Sequence, residues 1–165
     1  MADKETGRAL VLGVGNILMG DEGLGVRVVE LFEKGYSLPA EVDCVDGGVA
    51  GVALLGYFKD YTNIIIVDAV SSGAAPATIH RFRGAEIKDI PPTATNAHQI
   101  GIKELIAISR FEGAHPGIIF IGIVPQDISF SIGLTPLVEA ALPIAAEMIM
   151  EELCALGFEV GRKDA

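Results

Sequence analysis

Five side chains capable of chemistry stand where the pattern predicts the chain to leave a strand or enter a helix. Asp21 and Glu22 are adjacent, Asp46 precedes Gly47-Gly48, Asp68 ends an isoleucine run, and His98 follows Asn96-Ala97. Carboxylates brought together repel unless they share a proton or hold a cation. Glu22, Asp68 and His98 together offer two carboxylates and one imidazole. That set suits a divalent metal such as nickel, zinc, manganese or iron, with open positions left for water or substrate. Each residue alone has a plainer reading. Aspartate is favoured in turns because it bonds its own backbone. A histidine at a helix start is more often a cap or a surface residue than a ligand. The aspartate that closes Ile64-Ile65-Ile66-Val67 is the hardest to explain that way.

The elements that must carry these groups are legible in the same pattern. Ala9 to Val14 is a strand-forming run broken by Gly13, Gly15 and Asn16. It reopens as a helix with Leu24, Val28, Leu31 and Phe32 on one side. Strand, turn and helix make the first half of a βαβ unit. In open α/β sheets ligands bind outside the carboxyl ends of the strands, so Asp21-Glu22 is read as the first element of a site. Glu41 to Val45 predicts a second strand, ending at Asp46. Ile64 to Val67 predicts a central strand buried on both faces. Acids at three neighbouring strand exits are expected to converge in one crevice. Thr78 to Arg83 alternates as an edge strand does, and Gly84 to Thr95 is a long irregular connection.

A helix is predicted from just after His98 to about Phe111, with Ile102, Leu105, Ile106 and Ser109 inward, followed by a strand over Gly117 to Val124. The last helix opens at Thr135-Pro136, runs to about Leu156, and is kinked or broken at Pro143. Alternating strands and helices predict an α/β fold, a three-layer α/β/α sandwich on a mostly parallel sheet of about five strands. A single domain over residues 1–165 is expected.

Other chemistries fit less well. A dinucleotide fingerprint would need a third glycine where Leu18 stands, and a P-loop would need Gly-Lys-Ser/Thr where Gly20-Asp21-Glu22 stands. There is no Gly-x-Ser-x-Gly elbow and no His-Glu-x-x-His. A net charge of −10 argues against nucleic acid and anionic membrane as partners. The polar N-terminus and the lack of an apolar run of ~18 residues give a cytoplasmic expectation. Cys44 and Cys154 read as buried small residues, and His80 and His115 as solvated ones.

Several segments also resemble one family. GVGNILMGDEGLGVRVVE, DGG at Asp46 to Gly48, IIIVDAV at Ile64 to Val70, NAHQIG at Asn96 to Gly101, and IGIVPQ with IGLTPLVEA occur in this order. Together they resemble the hydrogenase maturation proteases over about Leu10 to Leu156. The resemblance implies a single α/β domain with a mixed sheet. It implies an endopeptidase, aspartic-type or metal-assisted, that removes a C-terminal tail from the nickel-iron hydrogenase large-subunit precursor once nickel is inserted. Nickel would be held by the precursor and contacted by the enzyme, with no organic cofactor. Matched by motif, the family's site residues fall on Glu22, Asp68 and His98, for metal contact and for catalysis. Val49 stands where the family often has threonine. The alternative is a non-hydrolytic module that binds a metal or small ligand. The protein is expected to act as a monomer.

Overall fold

The β-branched runs form the middle of a five-stranded sheet in the structure, a computed structural model that describes residues 7–94 and 100–164. Strand β1 (Ala9–Val14) leads through a 3-10 turn (Gly20–Gly23) into helix α1 (Leu24–Gly35). A two-residue strand, β2 (Tyr36–Ser37), precedes β3 (Val42–Gly48) and α2 (Leu55–Asp60). Next come β4 (Asn63–Ala69), β5 (Ile79–Arg83), α3 (Ile102–Phe111) and β6 (Gly117–Ile123). The chain closes with α4 (Pro136–Glu139), α5 (Leu142–Ala155) and β7 (Gly161–Arg162). The sheet order is β3-β1-β4-β6-β5, with β5 alone antiparallel. The expected mixed, mostly parallel sheet is therefore present, and β5 is its edge strand.

Residue parity divides the core into two layers, because successive strand side chains point to opposite faces. Val11, Ile65, Val67, Ile119 and Ile121 face α1 and α5, where Leu24, Val28, Phe32, Ala145, Ile149 and Leu153 meet them. Leu10, Leu12, Ile64, Ile66 and Phe120 face α2 and α3, against Phe58, Ile102, Leu105 and Ile106. The α3 face is as expected, Ser109 included. On α1 the buried set is Leu24, Gly25, Val26, Val28, Val29 and Phe32. Leu31, expected inward, is exposed. The connection after β5 is not wholly irregular, since Gly84–Asp89 forms a 3-10 helix. The last helix is two helices, with Pro143 in the first turn of α5, where its missing N–H leaves no bond unmade. Edge strand β5 is tied to α5 by Arg81 and Arg83, which both pair with the buried Glu152.

Candidate active site

Strand order sets where a site can lie. From β1 the chain moves outward to β3, then returns past β1 to β4, so the crevice opens between the carboxyl ends of β1 and β4. Val14 ends the first of these strands and Asp68 stands near the end of the second. Both line a cleft with Gly48, Val49, Gly51, Leu54, Thr93, Ile100, Gly101, Ile102 and Leu105.

Asp68 shares parity with Ile64 and Ile66, so its carboxyl points to the α2/α3 side of the sheet. It is 1% exposed, and its Oδ1 accepts the Ala69 N–H at 2.8 Å. Burial pushes its pKa well above the usual carboxylate range. The Ala69 bond opposes that shift, and the charge of Glu22 adds to it.

Glu22 arrives from the other face, in the turn that opens α1. Two glycines let it come close. A Cβ on Gly25 would stand 2.2 Å from the Val67 carbonyl oxygen and 2.4 Å from that of Val14. At Gly15, φ is +137° and a Cβ would stand 1.9 Å from the Glu22 carbonyl oxygen. The start of α1 is thus pressed onto β1 and β4, with Glu22 buried beside their ends. Burial raises the pKa of Glu22 as well. None of the ion pairs among the described residues involves Glu22 or Asp68. Two buried carboxyls, one raising the other, are a setting that a cation would relieve.

The expected convergence of acids holds for these two and fails for the others. Asp46 is exposed, and its Oδ1 accepts the Gly48 N–H at 2.8 Å, the plain turn role. Asp21 is fully buried but turned away from the crevice. Its carboxylate accepts the N–H groups of Gln126 (2.9 Å), Asp127 (3.0 Å) and Thr135 (2.7 Å), and the Thr135 hydroxyl (2.8 Å). Of the two acids read as the first element of a site, Asp21 is thus committed to bracing the 126–135 segment. His98 lies outside the described residues, although Thr93 and Ile100 on either side of it line the cleft. Among the described residues no group of three or more His, Cys, Asp or Glu is placed to hold a metal. His80 is half-buried rather than solvated, with Nε2 2.9 Å from Ser72 Oγ. Cys154 is exposed rather than buried.

Sequence reasoning missed the loop over Gln126 to Leu134 as part of this region, and also the apolar cleft wall of Leu54 and Leu105. In sequence the loop shows only the alternation Ile128-Ser129-Phe130-Ser131-Ile132, which reads as readily as a strand.

A doubly wound α/β domain with two buried acids at its switch point defines a class of protein, and comparison with known proteins identifies which one. Residues 26–152 match the family described as hydrogenase maturation protease. That segment contains Asp68 and begins after Glu22. The chain is 40% identical to the Hydrogenase 2 maturation protease of Escherichia coli (strain K12), over 96% of this chain and 98% of that protein. It is 34% identical to the hydrogenase expression/formation protein HoxM of Azotobacter vinelandii, over 94% of this chain and 76% of that one. Among solved structures, the hydrogenase maturating endopeptidase HybD from E. coli superposes with a TM-score of 0.86 at 40% identity, covering 94% of this chain and 98% of HybD. The hydrogenase 2 maturation peptidase from Thaumarchaeota archaeon SCGC_AB-539-E09 gives 0.69 at 33% identity, over 89% and 98%. The chain belongs to the hydrogenase maturation protease family. It is a peptidase with a role in hydrogenase maturation.

Proposed function

We propose that this peptidase removes the C-terminal tail of a nickel-iron hydrogenase large-subunit precursor, and that it recognises nickel already held in that precursor. One observation carries the reading: buried Asp68 lines the switch-point crevice of a protease fold, and the charge of Glu22, buried in the turn before α1, acts on it. Glu22, Asp68 and His98 would contact the precursor's metal, a donor set of two hard oxygens and one imidazole that suits nickel. A bound dication supplies positive charge that favours ionised carboxyls and polarises a neighbouring carbonyl.

Asp68 is the base of choice in this scheme. In the protein alone its burial, with Glu22 beside it, favours the protonated form. A dication arriving with the substrate reverses that balance, so Asp68 ionises and can take a proton from the attacking water. Cleavage would then be coupled to the presence of the metal without a separate switch. Glu22, less deeply committed, would hold the metal-bearing segment so that the scissile bond lies in the cleft.

The test uses purified precursor with and without nickel. Wild type should shorten the nickel-loaded form, seen as a mass loss, and leave the nickel-free form intact. Asp68→Asn and Glu22→Gln should fold normally and slow processing by at least about 10²-fold, the scale of a lost acid-base group. Either variant cutting at the wild-type rate would remove that residue from the scheme. Binding of nickel-loaded precursor with no mass loss from wild type would favour a non-hydrolytic metal-binding module instead.

A further inference from the structure

Five of the large apolar side chains left on the surface fall on two joined loops and the short helix that follows them. Phe130 is 77% exposed, Ile132 76%, Leu18 and Leu137 48% each, and Ile128 38%. Single exposed apolar side chains are ordinary, but a cluster of large ones marks a contact surface. Leu18 and the 126–134 loop are joined directly. The Ser131 N–H donates to the Leu18 carbonyl at 3.0 Å, and the Gly20 N–H donates to the Ser131 carbonyl at 2.8 Å. Below them the Asp21 N–H donates to the Asp127 carbonyl at 2.9 Å, and the Asp21 carboxylate gathers its four donors. The two loops therefore form one braced ledge, continuous with the turn that carries Glu22.

Charge narrows what could cover it. Ile128 to Val138 contains no ionisable side chain, in a protein that is 21% charged with a net charge of −10. The exposed acids Asp127 and Glu139 bound this stretch, so charge lies at its margins and the ledge between them presents only apolar and hydroxyl side chains. The substrate of a protease is itself a protein, and the cleft around Asp68 is narrow, so a folded substrate must also rest on the rim.

We infer that the ledge formed by Leu18, Ile128, Phe130, Ile132 and Leu137 is the docking surface for an uncharged, apolar patch on the folded body of the hydrogenase large-subunit precursor. This rests on the reading of Glu22 and Asp68 as the cleavage site that the tail must reach. Docking would fix the body of the precursor while its tail enters the crevice, and the rigid brace under Asp21 would set the distance between the two.

The experiment measures the affinity of purified nickel-loaded large-subunit precursor for the wild type, for Phe130→Ser/Ile132→Ser, and for Phe111→Ser, together with tail cleavage. Phe111 is 94% exposed at the far end of α3, beside the amino ends of the strands, and serves as the control. The double variant should bind at least about tenfold more weakly and cut at an unchanged rate once saturated, and Phe111→Ser should bind as wild type does. All five side chains are exposed, so melting temperatures should stay close. If the double variant does not fold, Leu18→Ser and Leu137→Ser carry the same test singly. Undiminished binding by the ledge variants, or equal weakening by Phe111→Ser, overturns the inference. So does a wild type that fails to bind the precursor, or one that dimerises through this face and is made monomeric by the double variant. A wild type that binds through the ledge but never cuts would sink the cleavage reading and leave the ledge standing.

Discussion

Asp68 is a carboxyl whose charge the fold opposes, and this makes a pH signature. Because its folded pKa is raised, the protonated form is favoured by folding. Its contribution is fully present below the ordinary carboxylate range and is lost as pH climbs through the raised value. Asp68→Asn mimics the protonated state, so in metal-free protein it should match wild type near about pH 4 and melt higher than wild type as pH rises to neutrality. Each kcal/mol of difference moves the midpoint by roughly 2–4 °C in a chain of this size. A gap between the two proteins that stays constant with pH would contradict the burial argument. Asp21→Asn replaces a four-bond acceptor by a group half of which donates, so it should cost about 2–3 kcal/mol and loosen the 126–135 amides to hydrogen exchange. The cysteines also separate. Burial, with the charges of Glu33 and Asp43, pushes the Cys44 thiol up to about 12, which leaves about one thiolate in 10⁴ at pH 8. Alkylation of the folded protein at that pH should add one label, on Cys154. The sequence made Asp68 conspicuous, because an isoleucine run ending in an acid has few structural excuses. It could not separate Asp21 from Glu22, because the donors that claim Asp21 lie more than a hundred residues downstream.

The elements are held in register by backbone contact as much as by side chains. Gly25→Ala would gain up to about 1 kcal/mol of helix propensity. It would also drive a methyl into two carbonyl oxygens that cannot rotate away, an overpacking cost of about 1–3 kcal/mol. The net effect should be a loss of stability, and a larger loss of processing, since a shift of α1 displaces the turn before it that bears Glu22. Denaturant unfolding and precursor cleavage on the same sample check both parts. The strand pattern was legible because both faces of β4 and β6 are buried, which leaves no polar positions to blur it. The burial of α1 was less so. Val26 and Val29 are covered and Leu31 is not, because the packing of α5 beside α1 decides which stripe is enclosed. The two-residue pairing of β2 with β7 had no local signal at all.

For the whole molecule, an acidic protein that meets its partner through an uncharged ledge should associate with little help from long-range attraction. Raising salt from about 50 to about 500 mM should change its affinity for the precursor less than about threefold, where charge-steered pairs lose far more. A steep fall with salt, followed by titration calorimetry or sedimentation, would point to a charged docking face instead. No helix among the described residues is long and apolar enough to cross a membrane. The family and the layered fold were both readable from motifs in order along the chain. The ledge was not, because exposure is a property of what fails to pack, and sequence pattern records what packs.

The hydrogen bonds of Asp21 span 105 to 114 residues. On the ribosome, the turn bearing Glu22 is made early but has its full set of anchors only once Gln126, Asp127 and Thr135 have all left the exit tunnel. The brace under this turn is therefore completed late in synthesis, and a chain cut short before Gln126 should keep both Glu22 and Asp68 yet lack every bond that anchors the Asp21 carboxylate.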